Sequence, residues 1–434
     1  MLGIWRDLTN TSPAFCFSAM DRSSTVIWYS CLVVLCHAGC AMDRQHVSLL
    51  LPPSARLVEV GGGGEVSLRD QDDHVLPVGA RLVPRNVLVL SGGGANGAYT
   101  AGVLNGWTAS GTRPEFDVVT GISTGALIAP FAFLGSDYDD TLRQSYTSAK
   151  ESDIFKRRWL PELLWADSVA DSAPLRRKIA SEITLDVLAR VAEAHRAGRR
   201  LYVGTTDLDT KRLVVWDMGA IACREDSHRL DLFRNVLLAS ASVPGLLPPV
   251  DVEIDVDGKS YTELHVDGGV AAALFLQPAM VGVNPDQEVP NDPNDSHVYV
   301  VVAGQLQLPR RTVKRRLTKV VEESIGGVLQ SQLEGDLLKT YLLARFAGAD
   351  FSLTSVPKDI TFESAPLAFD PITMRKLFDT GYEHAATRKG WHVVPASLTL
   401  DELTPPRSGV EFTVQESATS HSDTSARTRS GDHH

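Results

Sequence analysis

The stretch NVLVLSGGGANGAYTAGVLNGW, residues 86–107, sets four glycines (Gly92, Gly93, Gly94 and Gly97) into six positions directly after an apolar run. NVLVL (86–90) has the form of a short, buried parallel strand. GAYTAGVLNGW follows with helical spacing. A glycine-rich turn between strand and helix lets a ligand approach the backbone closely, and three ligands fit: a nucleotide phosphate, a dinucleotide, or the negative oxygen of a reacting ester. Working outward, FDVVTG (116–121) reads as a second strand and TGALIAPFAFLG (124–135) as a second helix. RRLYVGTTDLD (199–209) and RLVVWDMG (212–219) read as two paired strands. HVYVVVAG (297–304) is another buried strand, and residues 313–347 form a long helical region. This alternation predicts an α/β fold with a mostly parallel central sheet, and residues 137–195 read as a helical insertion over it.

GISTG (121–125) fits G-x-S-x-G between the second strand and the second helix. A nucleophile on such a turn needs small neighbours, which Gly121 and Gly125 supply. Ser123 then sits exposed at the strand's C-terminal end, above the positive end of the next helix. A five-residue pattern also arises by chance as a small-residue turn, so its strand–turn–helix setting carries the weight.

GISTG bears on the glycine stretch. Gly92, Gly94 and Gly97 formally give G-x-G-x-x-G, but a dinucleotide site wants an acidic residue at the end of the second strand, and Asp117 lies at its start. A P-loop needs Gly-Lys-Ser/Thr, whereas the chain has Asn96–Gly97–Ala98. Backbone N–H groups at a helix N-terminus also make an oxyanion hole. That third reading uses both motifs.

A serine nucleophile needs a base. In ELHVDGGVAAAL (263–274) an apolar strand ends at Asp267, followed by Gly268 and Gly269. A carboxylate is a weak base in water, so burial has to raise its pKa toward a useful value. The plain reading of Asp267 is an Asp-Gly turn. His265, two residues earlier on the same strand face, is an outside candidate for the base. No His and Cys cluster has metal-ligand spacing, and neither metal nor cofactor is expected.

SGGGANGAY, GISTG and VDGG, in this order, resemble the patatin-like phospholipase family. The resemblance extends through GTTDLDTKRLVVWDMG (204–219), LASASVPGLLPPV (238–250) and, less closely, MRKLFDTGYEHA (374–385). It implies a patatin-like three-layer sandwich over residues 86–395 and hydrolysis of lipid carboxyl esters by a Ser–Asp dyad without histidine. Ser123 is then the nucleophile and Asp267 the base; Gly92, Gly93, Gly94 and Gly97 form the oxyanion loop, with Gly121, Gly125, Gly268 and Gly269 as motif support. Many members carry Lys or Arg where this chain has Asn96, which removes a positive charge near the hole. A reading from another class remains: a catalytically silent lipid-binding or scaffold lipoprotein of the same fold.

The rest of the chain sets context. Its 434 residues are 43% hydrophobic and 22% charged, with a net charge of -11, which argues against nucleic acid as a partner. TVIWYSCLVVLC (25–36) is uncharged and too short to span a bilayer, and Arg22 flanks it, so residues 1–40 read as an export signal, with Met20 a plausible true start. AGC (38–40) resembles the end of a bacterial lipobox in which Cys40 becomes lipidated, although His37 departs from the usual Leu. An exported protein acting on lipid is the expectation, with Cys40 as its membrane anchor in one reading and residues 1–40 a plain cleaved signal or a buried N-terminal segment in the other. Residues 41–85, with GGGG at 61–64, read as a linker, and the Ser/Thr-rich residues 396–434 as a disordered tail. IFKRRWLPELLWADS (154–168) sets Trp159 and Trp165 beside a basic triplet. It reads either as a lid or membrane contact, or as a helical cap with its apolar face packed inward.

Overall fold

The computed structural model describes residues 65–66, 85–159, 161–162, 165–256, 259–283, 296–307, 312–313, 315–360 and 369–395. The expected leader with Cys40, nearly all of the linker and the whole tail lie outside the described residues, as do Leu160, Leu163 and Leu164.

The chain first contributes β1 (Glu65–Val66) and β2 (Asn86–Leu90), then a 3-10 turn at Gly94–Asn96 running into α1 (Gly97–Ala109). β3 (Val118–Ile122) leads into α2 (Thr124–Leu134). Next come α3 (Asp139–Thr147), the single turn α4 (Glu151–Ile154), β4 (Lys156–Arg157), β5 (Ala170–Asp171), α5 (Ala173–Glu182) and α6 (Leu185–Arg196), the helical insertion expected from the sequence. β6 (Arg200–Asp207), β7 (Arg212–Asp217), α7 (Met218–Cys223) and α8 (Arg229–Ser240) precede the hairpin of β8 (Val250–Val256) and β9 (Lys259–Asp267). β10 (His297–Val302), α9 (Leu317–Phe346), β11 (Asp350–Ser355) and α10 (Pro371–Ala386) complete the order.

The main sheet runs β1-β7-β6-β3-β2-β10-β11, with the β8–β9 hairpin attached through β9 to β6. From β6 to β11 every pairing on this path is parallel, while β7 and β9 both pair with β6 antiparallel. The part of the expected linker that is described, Glu65–Val66, pairs with Val214–Val215 at the β7 edge.

Strand alternation makes three layers. Leu88 and Leu90 of β2 point into a core shared with α1, α2, α5, α6, α8 and α10, whereas Val87 and Val89 point into a second core shared with α9 and the loop 272–281. Such doubly covered strands read as unbroken apolar runs. α1 and α10 pack with backbones almost in contact: a Cβ at Gly102 would lie 2.0 Å from the Phe378 carbonyl, and one at Gly106 would lie 2.1 Å from that of Tyr382. Asp117, which a dinucleotide site would need at the far end of its strand, accepts the amides of Arg85 and Asn86 at 2.8 and 2.9 Å instead. It ties down the N-terminal edge of β2, at the opposite end of that strand from the glycines.

Candidate active site

The β3–α2 junction is an elbow. Ser123 has φ 56° and ψ -123°, a region that non-glycine residues occupy at about 1–3 kcal/mol. Its N–H donates to Ser240 Oγ at 3.0 Å, and its carbonyl accepts the amides of Ala126 and Leu127. The flanking glycines are required by contact: a Cβ at Gly121 would lie 2.5 Å from the Gly125 carbonyl, and one at Gly125 would lie 2.7 Å from those of Leu90 and Ser91.

β6 acts as the ruler that brings the second group in. Its Gly204 pairs with Ile122, the residue before Ser123, and its next residue, Thr205, pairs with Asp267 at the end of β9. β9 reaches this register because Gly268 has no side chain, since a Cβ there would lie 2.5 Å from the Gly204 carbonyl. Ser123 Oγ consequently donates to Asp267 Oδ2 at 2.7 Å, and both residues are buried. Asp267 Oδ1 accepts the Gly269 amide at 2.7 Å. Burial pushes the Asp267 carboxyl up to about 6, against the two hydrogen bonds from Ser123 and Gly269 that favour its charged form.

His265 is fully buried with both ring nitrogens engaged, Nδ1 with Thr205 Oγ1 at 2.9 Å and Nε2 with Glu263 at 3.1 Å. Its ring packs edge-on against Trp216. Among the described contacts none joins it to Ser123. Nor do three His, Cys, Asp or Glu side chains converge as metal ligands among the described residues.

The glycine loop narrows from four candidate donors to two. The Gly92 amide already donates to the Ala273 carbonyl at 3.0 Å, and that of Gly97 turns back to the carbonyls of Gly94 and Ala95. These two glycines are packing positions: a Cβ at Gly92 would crowd Ser123 Cβ at 3.2 Å, and one at Gly97 would lie 2.2 Å from Thr124 Oγ1. The expectation that all four line an oxyanion hole is corrected accordingly. Gly93 and Gly94 have amides with no partner among the described residues. Gly93 must lack a side chain because the Ala303 carbonyl would lie 2.1 Å from its Cβ, and Gly94 adopts φ 56°. Asn96 makes no side-chain cap on α1.

Ser123 and Gly94 open into a cavity of about 80 Å³ walled by apolar side chains of α2, α3, α5 and α8, among them Leu127, Phe131, Leu175 and Leu237. Tyr146 from α3 closes one side, its hydroxyl 2.8 Å from Thr124 Oγ1. Burial raises this phenol above its ordinary range, so it stays protonated. Among the described residues, the charged groups on the wall are Lys178 and Glu182, which pair with each other at 2.6 Å. Trp159 and Trp165 are 71% and 61% exposed, so these two side chains do not pack inward as a cap would require.

Sequence reasoning missed Ser240. It is fully buried and does two jobs, accepting the Ser123 amide and donating to the Gly204 carbonyl at 2.7 Å. Thr206 similarly holds the end of β9 by donating to the Asp267 carbonyl at 3.0 Å. The signal in the sequence was small polar residues closing an apolar helix (LASAS, 238–242), which carries no address. Ser240→Ala leaves a buried N–H and a buried carbonyl each without that partner and is expected to destabilise by about 1–3 kcal/mol. Ester turnover should drop about tenfold to a hundredfold through a displaced Ser123. Melting curves alongside turnover of a soluble ester check this, and unchanged turnover removes Ser240 from the elbow's support.

No curated protein sequence matches the chain. Several solved structures are similar to it at low identity. VipD from Legionella pneumophila is 12% identical with a TM-score of 0.33, over 70% of this chain and 66% of that one. The heterodimeric ExoU–SpcU complex from the type III secretion system of Pseudomonas aeruginosa gives 17% and 0.26, over 71% and 51%. The type III effector protein ExoU alone gives 13% and 0.24, over 71% and 55%. The chain therefore spans less than two thirds of the length of each. Residues 88–280 match the family model described as Patatin-like phospholipase, and this chain carries a patatin-like phospholipase domain that contains both Ser123 and Asp267.

Proposed function

We propose that the domain is a serine acyl hydrolase of lipid carboxyl esters, with Ser123 as nucleophile and Asp267 as its base. The observation that carries this reading is the 2.7 Å hydrogen bond from Ser123 Oγ to a buried carboxylate on a strained elbow. As Oγ attacks the ester carbonyl, its proton passes to Asp267 Oδ2. Negative charge develops on the carbonyl oxygen, where the amides of Gly93 and Gly94 and the N-terminal end of α2 stabilise it. Collapse of the tetrahedral intermediate expels the alcohol, which takes the proton from Asp267. Water, deprotonated by the same carboxylate, then attacks the acyl carbon, and the free acid departs as Ser123 Oγ takes the proton back from Asp267. The apolar cavity receives the acyl chain, which favours a lipid over a peptide or sugar ester. The exposed Trp159 and Trp165 lie on the segment that follows Ile154 and Phe155 of the cavity wall, where a lipid surface would meet them.

Turnover of a soluble short-chain p-nitrophenyl ester by the full chain tests the reading. The base must be ionised to act, so kcat/KM rises with pH through about 6 and falls about tenfold per pH unit below it. No hydrolysis, or a profile flat from pH 5 to 8, removes Asp267 as the base.

A further inference from the structure

β9 ends at Asp267 and runs on into a strap, residues 268–275, that bonds to the base, the glycine loop and β3 in turn. It opens with a 3-10 turn, Gly268–Val270, whose Gly269 amide donates to the Asp267 carboxylate. The amides of Ala271 and Ala272 both return to the Gly268 carbonyl, which keeps the turn short. Beyond it the Ala273 carbonyl accepts the Gly92 amide at 3.0 Å, and the Phe275 carbonyl accepts Thr120 Oγ1 of β3 at 3.0 Å.

Asp336, on α9 and 63 residues further along than Ala273, holds this strap from the other side. It is 8% exposed and accepts the Ala273 amide through Oδ2 at 2.9 Å, and the Leu274 amide bonds its carboxylate as well. The Leu274 N–H and the Ala273 carbonyl belong to one peptide group, which is planar and trans. Its two ends point in opposite directions, so a carboxylate at the N–H end aims the carbonyl at Gly92. The carboxylate also strengthens that carbonyl as an acceptor, because hydrogen bonds in series polarise one another. A chain of bonds thus runs from Asp336 through the 273–274 peptide to the Gly92 amide.

Gly92 directly precedes Gly93 and Gly94, the two amides without a partner among the described residues. Its own carbonyl accepts Ser91 Oγ at 2.8 Å, and Ser91 Oγ accepts the Ala303 amide at 2.9 Å. Both peptide groups that flank Gly92 are therefore held, and the second of them carries the Gly93 N–H. The Ser91 tie is local to the ends of β2 and β10, whereas the Ala273 tie is backed by α9.

Packing alone does not account for an acid at this position. Leu337 and Ala344 of the same helix sit in the apolar core with Leu274 and Phe275. An alkyl side chain at 336 would fill the space without the cost of desolvating a charge. Burial raises the Asp336 carboxyl above its ordinary range, against the hydrogen bond from Ala273, the pull of Lys339 and the bond from Leu274. Lys339 lies 3.4 Å from Oδ1 with its side chain 82% exposed, so it forms a weak surface pair.

We infer that Asp336 is a positioning residue for ester hydrolysis: acting through the 273–274 peptide, it holds Gly92 so that the Gly93 and Gly94 amides face the carbonyl oxygen at Ser123. The inference rests on the catalytic reading above and extends it to α9, none of whose described residues lines the cavity.

The test compares Asp336→Ala and Asp336→Asn with the parent, each as the full chain, in turnover of a p-nitrophenyl ester and in thermal melts. Alanine removes both acceptor oxygens. Its kcat is expected to fall about tenfold to a hundredfold with KM within about twofold, since the loop serves the transition state more than the bound ester. Asparagine keeps one oxygen for the Ala273 amide and loses the charge, so its kcat should fall about threefold to tenfold. In both variants the midpoint of kcat/KM against pH should stay at about 6, because Asp267 keeps its own partners. Parental kcat in either folded variant overturns the inference. So does a loss that lies in KM alone, or one that comes with a shifted midpoint, which would assign the effect to Asp267. Should Asp336→Ala not fold, Asp336→Asn decides by the same criteria. Failure of the catalytic reading is seen separately, as a parent that does not hydrolyse the ester or a Ser123→Ala variant that still does, and the inference falls with it.

Discussion

Ser123→Ala is expected to lower kcat for ester hydrolysis by at least about 10⁴-fold, since the bond-forming atom is gone and only the binding and oxyanion contributions remain. The protein should still fold. Alanine keeps the backbone bonds of the elbow, including the Ser240 contact, and among the described residues the lost hydroxyl bonds Asp267 alone. Alanine is no more comfortable at φ 56° than serine, so relief of strain is not expected. Ser123→Gly should be equally inactive yet more stable than Ser123→Ala at the elbow, because glycine adopts this backbone freely. Turnover of a p-nitrophenyl ester and thermal melts of the three proteins separate these effects. Activity of Ser123→Ala within tenfold of wild type would mean that another residue is the nucleophile.

Asp267→Asn should be nearly as inactive, by about 10⁴-fold, and at the same time more stable at neutral pH. The Asp267 carboxyl sits at about 6 in the folded protein, against about 3.9 for an unfolded carboxyl. Between those values the native state holds a proton that the unfolded state has released. The stabilisation is therefore complete below the unfolded value and is lost as pH rises through about 6, a loss of about 3 kcal/mol by pH 7 or above. Asparagine has the same shape and no charge to desolvate. Its oxygen can accept the Gly269 amide while its NH₂ donates to Ser123 Oγ. The variant should melt higher than wild type at pH 8, with the difference closing toward pH 4. An Asp267→Asn variant that melts lower at pH 8 would contradict the desolvated carboxylate, and one that retains turnover would contradict its role as base.

Of these two positions, that of Ser123 was legible in the sequence by itself, and the reason is local. An elbow needs small residues on both sides of its nucleophile, and the contacts at Gly121 and Gly125 are with backbone atoms of adjoining segments. Strand–turn–helix order around GISTG, and the two-sided apolar runs at Asn86–Leu90 and His297–Val302, follow from periodicity and burial on both faces. Those features specified a mostly parallel sheet covered on both sides.

What lay beyond the sequence was pairing at a distance. Whether Asp267 or His265 met the serine depended on β6 passing beyond β3 and collecting β9 in a register that faces Thr205 with Asp267. The glycine loop shows the same division. Four glycines announce a close approach, but only the fold assigns the Gly92 amide to Ala273 and leaves those of Gly93 and Gly94 free of partners among the described residues. Ser240 had no signature, because one hydroxyl bridging Ser123 and Gly204 is a property of three segments that meet in space. Sequence sets short-range sterics and the periodicity of burial, while register and coverage come from contacts between distant segments, and those the tertiary structure decided.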